Sequence, residues 1–207
     1  MKKPDWMKKK ALMAWLVRRW GWDRTHWERV VEYRKCFAFL HAQSPETLNA
    51  LEISGEGVWN KAVRFKTYRS IGYPEYDLCA AAYPAQFDVV IADHVLPHVD
   101  CPSRAVENLY AMLRDGGHLI VTSSFLVRVE GSPVDCSRWT ERGLKNLLVA
   151  GGFDPESVHT DSWGNRSCVK ANFRRWVPYG FGLFRSLKNE PKFPVSVWAI
   201  ARRQKDA

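Results

Sequence analysis

Apolar positions fall on one helical face from Thr25 to His41, where Val30, Val31, Phe37, Phe39 and Leu40 approximate a stripe that Ser44-Pro45 ends. Leu48 to Ile53 reads as a buried strand closing on Ser54-Gly55-Glu56-Gly57, and a short helix is expected from Val58 to Phe65. Tyr68 to Ile71 is a second strand, stopped by Gly72 and Pro74. Phe87 to Ala92 is a continuous β-branched run, as in a parallel strand covered on both faces. A helix follows from Ser103, read as its N-cap, to Leu113, then the turn Asp115-Gly116-Gly117 and a strand from His118 to Ser123. Thr140 caps a helix that runs to Ala150 and stops at Gly151-Gly152. Val158 to Trp163 and Val195 to Ala201 are the last strands, separated by the basic, aromatic stretch Gly164 to Pro194. Strands alternating with helices predict an α/β fold with a mainly parallel sheet, and two closing strands without a helix predict a terminal antiparallel pair.

Ahead of this pattern, Met7, Ala11, Leu12, Trp15 and Leu16 recur at helical spacing among Lys8-Lys9-Lys10 and Arg18-Arg19. Five of the ten tryptophans lie in the first 27 residues. The chain therefore reads as a basic, Trp-rich helical extension over 1–44 and an α/β domain over 45–207. A basic amphipathic helix can lie on an anionic membrane, or it can dock on its own domain or on a second subunit of a homodimer; docking, on either, is the favoured expectation.

Composition narrows the class. The chain has 207 residues, 46% of them hydrophobic and 26% charged, which excludes a disordered or collagen-like chain. No apolar run reaches the roughly 20 residues of a membrane-spanning helix, and Met1 to Trp6 lacks the apolar run of a secretory signal. Five widely spaced cysteines without a CxxC pair argue against a disulfide framework or zinc site, so no metal and a cytoplasmic setting are expected. The net charge of +9 is uneven: residues 1–40 carry +7, residues 41–163 carry −6 and residues 164–207 carry +8. Two basic ends around an acidic middle can attract an anionic partner, whether a phosphorylated metabolite, an acidic glycan, a lipid surface or nucleic acid. No nucleic-acid recognition motif accompanies them, so nucleic acid is not expected.

In an open α/β sheet the ligand sits beyond the carboxyl ends of the strands. The candidate loops follow Ile53, Ile71, Ala92 and Ser123. They offer the small residues Ser54, Gly55 and Gly57, then Tyr73, Glu75 and Asp77, then Asp93, His94 and His98. The first loop is neither GxGxxG nor a P-loop.

The stretch Phe87 to Phe125, with Val95-Leu96-Pro97-His98-Val99 and Leu113-Arg114-Asp115-Gly116-Gly117, resembles class I S-adenosylmethionine-dependent methyltransferases of the type 11 group. Ser132 to Phe153 is similar to a subset of them carrying a P-x-D-x-x-R-x-T-x-x-G-L stretch. The resemblance covers about half of the chain, Leu48 to Phe153, and implies a Rossmann-like domain that binds S-adenosylmethionine. It implies cofactor-binding roles for Glu52, Ser54, Gly55, Asp77 and Asp93 and a methyl-transfer face at Asp93 and His94; the loop residues Gly57, Tyr73 and Glu75 join the cofactor candidates, with Glu75 or Asp77 as the replacement ribose contact. Three departures stand out: Ser54 in place of the first glycine, Pro97 in place of a glutamate, and Gly72 where the ribose-binding acid ends the second strand. The short spacing from Glu52 to Asp88 compresses the second helix and third strand of the pattern.

Methyl transfer to a hydroxyl needs a base near its proton, a task suited to histidine. The candidates are His98, His94 and Asp93, with Asp135 and His159 behind them. Asp135 and Arg138, and Trp163 and Arg166 at the head of the insertion, are the expected substrate contacts, and 164–194 is expected to form a substrate lid. The reading is therefore methyl transfer to an O or N nucleophile of a small acceptor that is anionic, sugar-containing or glycan-linked. The alternative is a degenerate fold acting as a binding or scaffold subunit.

Overall fold

The structure, a computed structural model, describes residues 23–55, 57–131, 133–180 and 185–204. The Trp-rich segment before residue 23 lies outside them. Among the described residues no helix is long and apolar enough to cross a membrane.

A six-stranded sheet carries the fold. It comprises β2 (Asn49–Ile53), β3 (Thr67–Ile71), β4 (Phe87–Asp93), β5 (Leu113–Ser124), β6 (Val158–Trp163) and β8 (Ser196–Arg202) in the spatial order β3-β2-β4-β5-β8-β6. β3, β2, β4 and β5 are parallel, and β8 runs antiparallel to both β5 and β6. The expected mainly parallel sheet with a closing antiparallel pair is thus present.

Alternation along the central strands assigns the layers. Val90 and Ala92 of β4 and Leu119 and Val121 of β5 face one side. There they pack on Val106 and Leu109 of α3 (Pro102–Ala111) and on Leu144 and Leu148 of α4 (Glu141–Ala150). Val89, Ile91 and Ile120 face the other side. They meet Tyr33, Cys36 and Leu40 of α1 (Val30–His41) and Trp59 of α2 (Val58–Ala62). Continuous apolar strands are what two covered faces require.

Local details depart from the expectations. The first helix starts at Val30, because Asp23–His26 forms β1 and Trp27–Arg29 a 3-10 turn. β1 pairs antiparallel with β7 (Pro178–Gly180), a partner more than 150 residues away that periodicity cannot reveal. α2 ends at Ala62 because Val63 turns extended. Ser103 is not the N-cap of α3: Cys101 holds that position, Pro102 supplies the first helical residue, and no side chain caps the turn. The expected cap of α4 is present, with Thr140 accepting from the Gly143 amide at 3.2 Å.

The stretch Gly164 to Pro194 also has structure, with α5 (Arg166–Asn172) and β7 within it. Three side chains pin its distal part: Trp27 Nε1 and Asn165 Nδ2 donate to the Ser186 carbonyl at 3.3 and 3.0 Å, and Trp163 Nε1 donates to the Leu187 carbonyl at 2.9 Å. Gly164 makes the close approach here, since a Cβ would lie 2.8 Å from the Pro194 carbonyl carbon and strike the Phe193 carbonyl.

Candidate active site

β2 and β4 are neighbours in space, and both end on residues in the left-handed region, Ser54 at φ 57° and His94 at φ 54°. Such backbone costs about 1–3 kcal/mol per residue and is concentrated where a loop must be re-aimed. Between these turns opens a cavity of about 530 Å³, within the usual range for small-molecule sites. Its wall takes Ile53 and Ser54 from the end of β2, Tyr73 to Cys79 in part from the segment after β3, and Asp93 to Val95 from the end of β4. His98, Val99 and Asp100 close one side with Pro133 and Val134. Asp77, Asp93 and Asp100 stand in this wall, and no Lys or Arg does among the described residues.

Asp93 is held from three elements. Its Oδ2 accepts from Tyr33 Oη on α1 at 2.7 Å and from Trp59 Nε1 on α2 at 3.0 Å, while Oδ1 accepts from Thr122 Oγ1 on β5 at 2.5 Å. Burial pushes its carboxyl upward, but the His94 ring, the Arg29 guanidinium and the donated hydrogen bonds outweigh that and hold it below the ordinary range. His94 is tied on both ring nitrogens, Nε2 to Glu32 Oε1 at 2.8 Å and Nδ1 to Ser124 Oγ at 3.1 Å. Burial and Arg29 push the ring down to about 3, and burial and Asp93 push Glu32 well above the carboxylate range. A protonated Glu32 donating to neutral His94 satisfies both directions. Nδ1–H then donates to Ser124.

His98 differs. Its Nδ1 meets the Val134 carbonyl in a short contact. A carbonyl oxygen only accepts, so Nδ1 carries a proton, and in the neutral ring Nε2 keeps its lone pair. His98 lines the cavity.

Of the residues picked from the sequence, Ser54, Tyr73, Asp77, Asp93, His94 and His98 come together in this wall. Glu52, Gly55, Gly57 and Glu75 do not line it. Glu52 accepts from Tyr68 Oη in a short hydrogen bond and lies across Gly55, where a Cβ would overlap its carboxyl. Glu75 is exposed, and Asp77 spends Oδ1 on the Cys79 amide at 2.8 Å. Asp135 and Arg138 form a short ion pair in an adjoining hollow of about 210 Å³ with Phe125, Val127 and Val129. Trp163 and Arg166 reach neither space: Trp163 is buried in the core, and Arg166 pairs with Glu190 at 2.7 Å. His159 is exposed on β6. Sequence reasoning missed Glu32, Tyr33, Trp59, Thr122 and Ser124; the available signal was an acid and a phenol on the apolar stripe of a helix.

Gly72 explains the missing acid at the end of β3. A Cβ there would lie 2.9 Å from Ser54 Oγ and 3.0 Å from Ser54 Cα, so a larger residue forces the neighbouring turn apart.

Residues 36–121 match the family model described as a methyltransferase domain. A methyltransferase from Clostridium acetobutylicum superposes with a TM-score of 0.55 at 10% identity, covering 97% of this chain and 100% of that one. A Thermotoga maritima methyltransferase described as a possible histamine N-methyltransferase gives 0.51 at 14% identity, covering 86% and 98%. Haemonchus contortus phosphoethanolamine N-methyltransferase 2, solved with phosphomonomethylethanolamine and S-adenosylhomocysteine, gives 0.54 at 11%, covering 84% of this chain and 53% of that one. No curated protein sequence matches. The chain has the class I S-adenosylmethionine-dependent methyltransferase fold. The matched region begins within α1, ends within β5 and includes the ends of β2 and β4 that border the cavity. The compression expected from the sequence is visible too: residues 72–86 hold turns and irregular chain with no helix or strand, and β3 lies at the sheet edge.

Two predictions follow from the wall. Gly72→Asp destabilises the domain by roughly 1–3 kcal/mol in urea unfolding, because the Ser54 turn must move; unchanged stability refutes the packing argument. The second concerns Glu52, whose carboxyl burial pushes up to about 7, with the Tyr68 bond opposing and Asp93 reinforcing. A folded-state value above the unfolded one means stability is full below about pH 4.5 and is lost as pH rises toward 7. Glu52→Gln removes that loss, so its advantage over wild type should grow between pH 4 and pH 8, by up to about 3 kcal/mol. A pH-independent difference contradicts the assignment.

Proposed function

We propose that the protein transfers a methyl group from S-adenosylmethionine to an O or N nucleophile of a small acceptor. The reading rests on one observation, the free Nε2 of His98 at the wall of a cavity between the ends of β2 and β4. The wall suits the cofactor by charge: Asp77, Asp93 and Asp100, without a lysine or arginine among the described residues, fit a ligand carrying a sulfonium and an ammonium. Ser54 and Tyr73 on one side and Asp77 on the other would hold it. When bound, it supplies an electrophilic methyl group. The protein's own contribution is to orient donor and acceptor and to take the acceptor's proton on His98 Nε2, with the Val134 carbonyl keeping the required tautomer.

The acceptor would enter by the hollow of Phe125, Val127 and Val129, which shares the 133–138 segment with the cavity. The insertion borders that route, since Trp176 Nε1 donates to Glu130 at 3.1 Å and Arg128 lies over the Trp176 ring at 4.8 Å. This supports a lid role for part of 164–194. Arg138, which lines this hollow, is engaged by Asp135, so a hydroxyl-rich, sugar-like acceptor fits this route better than a strongly anionic one. The Glu52 side chain over Gly55 favours a second reading, a fold retained for binding alone.

Calorimetric titration with S-adenosylhomocysteine separates the two. Micromolar binding weakened at least tenfold in Asp77→Ala supports the enzyme; no binding to the folded protein up to millimolar ligand favours the scaffold. With an acceptor from a screen of sugars and amines, His98→Gln should lower kcat by about 10²- to 10⁴-fold and leave S-adenosylhomocysteine affinity unchanged. Wild-type turnover in that variant removes His98 as the base.

A further inference from the structure

Behind the cavity wall, Glu32, Asp93 and His94 bring one donor atom each within 4.8 Å of one another. His94 Nε2 is 2.8 Å from Glu32 Oε1 and 3.9 Å from Asp93 Oδ1. Ligands about 2.1 Å from one ion lie about 3–4 Å apart, so small side-chain shifts suffice. The surroundings are those of a metal-ligand set rather than of a surface acidic patch. His94 gives Nδ1 to Ser124 Oγ, which aims Nε2 inward, and Asp93 is held by Tyr33, Trp59 and Thr122.

Two further facts concern the buried carboxylates around this set. Glu32 is fully buried, yet its Oε2 makes no hydrogen bond, the nearby Ser196 hydroxyl being given to the Glu28 carbonyl at 3.0 Å. Glu28 is also buried and neither of its oxygens takes a hydrogen bond, although His26 Nδ1 and Arg29 Nε stand 3.4 and 3.8 Å from Oε1. Once Glu32 gives up its proton, Glu28, Glu32 and Asp93 set three buried carboxylates against one guanidinium, Arg29; a divalent ion balances that charge, which is costly to leave unbalanced in an apolar interior.

We propose that Glu32, Asp93 and His94 bind one first-row divalent transition-metal ion at the inner wall of the cavity. One imidazole and two carboxylates favour zinc, cobalt, manganese or iron over magnesium and calcium, which prefer all-oxygen sets. The ion replaces the proton shared by Glu32 and His94, which leaves to solvent. It ties α1 to the end of β4, and Asp93 and His94 expose it to the cavity. The site does not depend on methyl transfer and would exist in a scaffold as well.

The test uses the full chain, stripped with a chelator and titrated with Co²⁺ and Zn²⁺ by visible absorption and calorimetry. One ion per chain is expected, with micromolar or tighter affinity, weakened at least tenfold in Glu32→Gln and unchanged in His98→Gln. Failure to bind one ion per folded chain at millimolar metal, or equal affinity in Glu32→Gln, overturns the proposal. Should Glu32→Gln not fold, X-ray absorption of the zinc-loaded wild type decides. A nitrogen/oxygen shell with a single imidazole supports the site; sulfur or two imidazoles in the shell overturns it. S-Adenosylhomocysteine affinity, measured separately, keeps the cofactor reading independent of either result.

Discussion

The Asp93 carboxylate is the point on which the structure turns. It closes the central strand β4 and accepts hydrogen bonds from α1, α2 and β5 at once. A buried carboxylate without such donors would cost several kcal/mol, so the side chain and its partners stand or fall together. Satisfying it brings the first helix over the carboxyl ends of the strands, places Trp59 beneath the glycine loop, and presents His94 with Glu32 behind it. The geometry of the cavity's inner wall follows from this one satisfied charge.

The cavity's outer wall obeys a different constraint, space. The chain has shed the regular elements between β3 and β4, and the turns of residues 72–86 fold back over the sheet edge. Ser54 and Gly72 then lie almost in contact, and their small size allows two parallel strand ends to approach. An acid at the end of β3 is incompatible with that approach. Asp77, a few residues later in the same segment, is a carboxylate that this segment adds to the cavity wall. The departures from the methyltransferase pattern are therefore linked: a shorter connection, a glycine in place of an acid, and a serine in place of a glycine form one packing solution.

The basic insertion shows how composition alone can mislead about place. Arginines interleaved with aromatics suggest a ligand surface, yet Trp163 and Asn165 spend their polar groups on backbone carbonyls and Arg166 meets Glu190. Among the described residues its middle, at Trp176, adjoins the hollow beside the cavity. The same amino-acid types serve as anchors at the start of the segment and border the hollow at its middle.

Strand and helix order, the two covered sheet faces, the antiparallel close and the candidate loops were legible in the chain, because they depend on periodicity and turn residues acting over a few positions. Val89 to Ala92 needed burial on both faces whatever lay around them. The tertiary structure decided what depends on distant partners. It paired β1 with β7, turned Glu52 away toward Tyr68, and separated the two histidines that the sequence offered as equals. His94 lost both nitrogens to Glu32 and Ser124, residues 62 positions before and 30 after it. His98 kept one nitrogen free because a carbonyl 36 positions later holds the other. Residue type confers the capacity for proton transfer or metal binding. Which atom remains available is set by hydrogen bonds between elements far apart in the chain, and these exist only once the fold has formed.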